Sequence, residues 1–183
     1  MDKKLIYLEL AGNAFTAAAA LFMQRLYSLS GGGLLGIMFG SVNASAWEFC
    51  KTLLLPFLIW SMLEAMIIRV RLRRFTAAKT AALYALGISY LLLGKILPSL
   101  PAAVICVLCA FCLSYVLYRS QLKLEVLFAP SLSMLFLFLA LYFSLTPFPP
   151  RCGIFLDGET GMYGIIPKYI DYGAIALDSA NLQ

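Results

Sequence analysis

The stretch ASAWEFCKTLLLPFLIWSMLEAMIIRVRLRR, residues 44–74, decides the fold class. From Ala44 to Ile68 it is an almost unbroken apolar run, and it stops at Arg69, Arg71, Arg73 and Arg74. A helix needs about 20 mostly apolar residues to cross a bilayer core. This run is long enough for a helix, too long for a membrane strand, and shows none of the alternation of a barrel. Lys and Arg accumulate where spans leave the membrane on the cytoplasmic side. The stretch therefore reads as a transmembrane helix whose C-terminal end is cytoplasmic.

Four more runs obey the same rule. They cover residues 5–29, then 75–97 before Pro98 and Pro101, then 101–118 before Arg119 and Lys123, and finally 124–145 before Thr146-Pro147-Phe148-Pro149-Pro150. The expectation is an all-α integral membrane protein, a bundle of about five transmembrane helices forming a single domain over 1–183, with an extracytoplasmic, non-helical tail at 146–183. Composition agrees, because 62% of the residues are hydrophobic and 13% charged, against about 25% charged in soluble domains. The mean hydropathy is +0.89. The first run follows a short charged N-terminus, as a signal peptide would. It is longer than a signal's apolar region and carries Glu9, Asn13, Gln24 and Arg25, so it reads as a retained helix. Residues 30–41 are glycine-rich and too short to cross. A re-entrant loop satisfied inside protein and a simple outer loop are both open. Residues 165–177 could lie at the interface, while Pro167, Lys168 and Asp171 argue against a sixth span.

The net charge of +5 sits at the ends of apolar runs, a pattern that membrane topology explains and nucleic-acid binding does not. A cytoplasmic N-terminus puts Lys3, Lys4, Arg69, Arg71, Arg73, Arg74, Lys79, Arg119 and Lys123 inside, and Arg25, Lys51, Lys95, Arg151 and Lys168 outside. The expected location is the cell membrane, with the C-terminus extracytoplasmic. There is no histidine, which excludes His-based acid/base catalysis, Ser-His-Asp and Cys-His nucleophiles, and HExxH zinc sites.

Polar residues concentrate at the outer start of the second span. Ser45 and Glu48 have capping-box spacing, and Asn43 is an alternative cap. Trp47, Glu48 and Lys51 share one helix face. Two readings stand side by side: a cap with interfacial anchors, or a polar site in which Glu48 and Lys51 pair at the mouth of the bundle.

The V-N-x-S-x-W-E-x-x-K pattern of Val42, Asn43, Ser45, Trp47, Glu48 and Lys51 resembles the signature of an uncharacterised family of small bacterial multipass membrane proteins, a domain of unknown function. The tail is similar as well, in Pro149, Pro150, Phe155, Asp157, Gly161, Tyr163 and Gly164. The family pattern tends to place His after the W-E pair and Glu after the Asn, where this chain has Phe49 and Ala44. The resemblance implies the multipass architecture and directs attention to these positions, without implying an activity.

Both patches fall on the outer side. A ligand-binding pocket there would use Asn43, Ser45, Trp47, Glu48, Lys51, Asp157, Glu159 and Tyr163, with Arg151 nearby. The plain alternative for Asp157-Gly158-Glu159 is an exposed turn. In the first helix Glu9, Asn13 and Thr16 form a polar stripe, either lining a path or acting as packing glue. Glu64 is a similar case, which Arg69 and Arg71 could neutralise, and Pro56 is expected to kink its helix. Cys106, Cys109 and Cys112 mimic cluster spacing, yet steps of three on a helix turn each side chain by about 60°, so they fan apart. They read as packing thiols. A bond between Cys50 and Cys152 is left open.

No catalytic residue, metal ligand or cofactor is expected. The leading functional reading is the binding or transport of a small molecule or ion through the outward-facing pocket. An accessory subunit held by a membrane-protein partner and a carboxylate-based intramembrane enzyme are the alternatives.

Overall fold

The computed structural model describes residues 2–167. Lys168 and most of the interfacial segment considered at 165–177 lie outside them. The elements are α1 (Asp2–Leu29), α2 (Leu34–Phe39), α3 (Ala46–Ile67), α4 (Leu72–Leu93), α5 (Ser99–Arg119), a 3-10 turn (Leu124–Leu127) and α6 (Phe128–Ser144). Five helical segments are long and apolar enough to cross a membrane, α1, α3, α4, α5 and Leu124–Ser144. They match the five expected runs. Among the described residues there is no strand, only a bridge between Leu156 and Tyr163.

The breaks have local causes. α1 ends where Gly31 and Gly32 take φ of 61° and 76°, a left-handed turn that glycine adopts without a Cβ penalty. Their amides return to the Ser28 and Tyr27 carbonyls. The glycine-rich segment then folds back along α1, so that the Ser41 amide donates to Met23 O at 3.3 Å. From Leu29 to Met23 this is about 9 Å of retreat at the helical rise. Gly40 permits the close approach, since a Cβ there would lie 2.7 Å from the Tyr27 amide nitrogen. Pro98 sits at the N-cap of α5 with Pro101 in its first turn, and Pro130 lies in the first turn of α6, where no intrahelical amide is needed. Pro56 lies inside the continuous α3.

α3 is the axis of the bundle, with 56% of its span buried, against 17% for Leu124–Ser144. Leu53, Leu54 and Phe57 of α3 meet Leu83 and Leu86 of α4 and Phe111 of α5. Lipid is as apolar as these side chains, so close packing and polar links, not water exclusion, hold such helices together. Gly12 marks where α1 approaches most closely. A Cβ there would fall 2.5 Å from the Trp60 ring and 2.6 Å from Phe111. The indole cannot swing away freely, because Trp60 Nε1 donates to Leu8 O at 3.0 Å.

Gly12→Leu is therefore expected to destabilise the bundle by about 1–3 kcal/mol through overpacking, whereas Ala18→Leu on the exposed face of α1 should leave it unchanged. Unfolding of the micelle-bound protein in SDS, followed by circular dichroism, measures both. Equal effects at the two positions would show that α1 does not seat on Trp60.

Candidate functional site

The expected outer residues come together, in a way that binds the chain to itself. Ser45 caps α3 by accepting from the Glu48 amide at 3.3 Å. The reciprocal half of the capping box does not form. The Ser45 amide donates instead to Asn43 Oδ1 at 2.9 Å, which frees the Glu48 carboxylate to turn inward. Glu48 Oε2 accepts from the Val42 amide at 3.1 Å and pairs with Lys51 Nζ at 2.7 Å. Lys51 Nζ also donates to Thr146 Oγ1 at 2.8 Å, and Thr146 in turn donates to Glu48 Oε1 at 2.8 Å. The ring Lys51–Thr146–Glu48 is closed and almost dry, with Lys51 0% and Glu48 2% exposed. Lys51 lies 5.8 Å from the centre of the Tyr142 ring.

The tail docks onto the same end of α3. Trp47 donates its amide to Ile154 O at 2.9 Å, and its ring lies 5.6 Å from that of Phe155. Asn43 Nδ2 donates to Gly164 O at 2.7 Å. Asp157, which is 1% exposed, is no exposed-turn residue. Its Oδ1 accepts from the Ala44 amide at 2.7 Å, and its Oδ2 from the Thr160 amide at 2.7 Å and hydroxyl at 2.5 Å. Gly161 and Gly164, at φ 67° and 78°, supply the left-handed turns. Glu159 and Arg151 are exposed, and Tyr163 is 38% exposed with its backbone bridged to Leu156. Those side chains stand outside the buried network. Cys50 is buried and Cys152 exposed, both as free thiols. Cys106 is buried while Cys109 and Cys112 are exposed, so the three fan around α5.

A second charged cluster lies deeper, toward the other end of the bundle. Lys79 Nζ of α4 pairs with Glu9 Oε2 of α1 at 2.9 Å and with Glu64 Oε2 of α3 at 2.7 Å. Ser114 of α5 donates to Glu9 Oε1 at 2.9 Å. The ammonium also sits 5.6, 5.3 and 5.0 Å from the centres of Phe57, Phe75 and Phe111, within cation–π range. Lys79, counted above with the inside charges, is buried between helices, and the cation in contact with Glu64 is Lys79, not Arg69 or Arg71. A readable signal was available: Phe75, Ala78, Lys79, Ala82, Leu83 and Leu86 follow i, i+3, i+4, i+7, i+8 spacing, the stripe of a buried face.

Two cavities adjoin the outer network. A polar pocket of about 240 Å³ opens beside Gln24, Arg25, Ser28, Ser41 and Asn43. A mainly apolar groove of about 180 Å³ runs below it past Asn13, Ala17, Leu21, Val104 and Leu108. Gln24 and Phe49 line both. Asn13 Nδ2 donates to Glu9 O at 2.8 Å, while its buried Oδ1 has no hydrogen-bond partner. Arg25 is exposed and forms no ion pair among the described residues.

Removing one member of the Glu48–Lys51 pair strands a buried charge. Lys51→Met and Glu48→Gln alone are each expected to cost about 3–5 kcal/mol, with a large part recovered in the double variant. A double-mutant cycle of SDS unfolding checks this, and additive losses would mean that the pair is not coupled.

A family model described as "Family of unknown function (DUF6512)" matches residues 3–165. No curated protein and no solved structure matches the chain. The match covers every helix described above and both outer patches, so the chain belongs to this family of unknown function.

Proposed function

We propose that this is a plasma-membrane protein that binds a small amphipathic molecule with an anionic head and an apolar body. The N-terminus is taken as cytoplasmic. The observation that carries the reading is the adjacency of two unlike cavities, both lined by Gln24 and Phe49. The upper one offers Arg25, Ser28 and Ser41 to a head group. The lower one offers small and aliphatic walls on α1 and α5, with the unpartnered Asn13 Oδ1 as a polar stop. Sites of this kind, mostly apolar with a few convergent polar groups, are typical of small-molecule binding.

In this reading the polar cluster at residues 43–51 is scaffold. Glu48 and Asp157 carry donors on both oxygens and are almost unexposed. They hold the 41–44 segment, which forms one wall of the pocket. Orientation is supported by the charges at the molecule's ends. Lys3, Lys4, Arg69, Arg71, Arg73, Arg74, Arg119 and Lys123 lie on the α1 N-terminal side. Arg25, Lys95 and Arg151 lie on the other, to which the sequence adds Lys168. The excess on the α1 N-terminal side favours a cytoplasmic N-terminus.

Decanoate should raise the melting temperature of the amphipol-held protein, while decanol and decylamine should not. Arg25→Gln and the groove-filling Leu108→Trp should each abolish the shift. A shift that survives Leu108→Trp, or none with any of the three amphiphiles, overturns the reading.

A further inference from the structure

We infer that the Glu9–Lys79–Glu64 cluster is a binding site for one exchangeable proton, held on Glu64. The inference goes beyond the ligand reading and stands without it.

The cluster contains two carboxylates and one ammonium. Glu9 is 6%, Glu64 0% and Lys79 5% exposed. With every group ionised, one negative charge would remain uncompensated among Phe57, Phe75 and Phe111. Burying a net charge away from water is strongly unfavourable, and such groups neutralise instead. α1 contributes Glu9, α3 Glu64, α4 Lys79 itself and α5 Ser114, a neutral donor. α6 approaches with Leu135. Arg74, the nearest further cation along α4, is committed to Tyr118 O at 2.7 Å and to Glu125 at 3.5 Å. Among the described residues no second cation bonds to the cluster.

The two carboxylates are not equivalent, and this selects the proton's seat. Glu9 has a donor on each oxygen, Ser114 on Oε1 and Lys79 on Oε2. Glu64 has only the ion-pair contact on Oε2, and its buried Oε1 has no hydrogen-bond partner. A fully buried carboxylate oxygen with no donor is the atom at which a proton relieves most. A route to the site exists in outline. A cavity of about 110 Å³ reaches Lys79 from between α3 and α4, lined by Ser61, Thr76 and Thr80, and Thr80 Oγ1 is itself buried and unpartnered. Uptake is simple addition of a proton from water to Glu64 Oε1, and release returns it. Each event changes the charge of the bundle interior by one.

Infrared spectroscopy of the full chain in nanodiscs tests this at neutral pH. The expected result is the C=O stretching band of a protonated carboxylic acid, shifted in D2O, lost in Glu64→Gln and retained in Glu125→Gln. Glu64→Gln should fold as the wild type does, because it replaces a neutral acid with a neutral amide. Absence of the band, its survival in Glu64→Gln, or failure of that variant to fold would each overturn the assignment. So would a rise in melting temperature when sodium replaces choline at constant ionic strength, if Glu64→Gln removes it, since a metal ion would then be the compensating charge.

Discussion

Every charge placed between apolar helices must be neutralised inside the protein, because lipid offers neither water nor counter-ions. This constraint organises the bundle. Helices in lipid gain little from hiding apolar faces against one another, so the polar links decide which helices meet and in what register. Lys79 joins α4 to α1 and α3 directly, and to α5 through the Glu9–Ser114 bond. Glu48 and Lys51 join the start of α3, by way of Thr146, to the segment just past the end of α6. α3 carries a member of both clusters, near its start and near its end, and it is also the most buried span.

The clusters differ in how completely they are satisfied. Around Glu48 every carboxylate oxygen has a donor, and the tail seals the region through Asn43, Ala44 and Trp47. Such a network specifies one arrangement and tolerates little change. The inner cluster has one cation for two carboxylates and leaves Glu64 Oε1 without a donor. Local imbalance of that kind is what the proposed proton on Glu64 would relieve. α1 links the inner cluster to two of the cavities, carrying Glu9 near one end, Asn13 in the groove, and Gln24 and Arg25 at the polar pocket.

The spans were legible because their signal is local. A run of about 20 apolar residues closed by arginine or proline reads the same in any context. The Ser45 cap was legible for the same reason. The partners of its neighbours were not, since Glu48 bonds across 98 residues to Thr146 and Asn43 across 121 to Gly164. The capping-box spacing even pointed the Glu48 carboxylate at the wrong amide, because Asn43 Oδ1 reaches Ser45 first. By sequence Lys79 counts with the residue 69–74 arginines among the inside charges, which says nothing of its burial. The stripe of Ala78, Ala82, Leu83 and Leu86 around it carried that message.

From sequence alone come the helical membrane architecture, the helix boundaries to within a few residues, and the polar residues at the N-terminal start of α3. These depend on hydropathy, length and capping, all set by near neighbours in the chain. Only the tertiary structure decided that Lys51 and Lys79 are core residues, that Asp157 is buried and pins the tail while Glu159 is exposed, and that Asn43 lines an open pocket while Glu48 and Lys51 are sealed in their own network. Each of those depends on which distant group neutralises a charge first, and distance along a chain does not encode that.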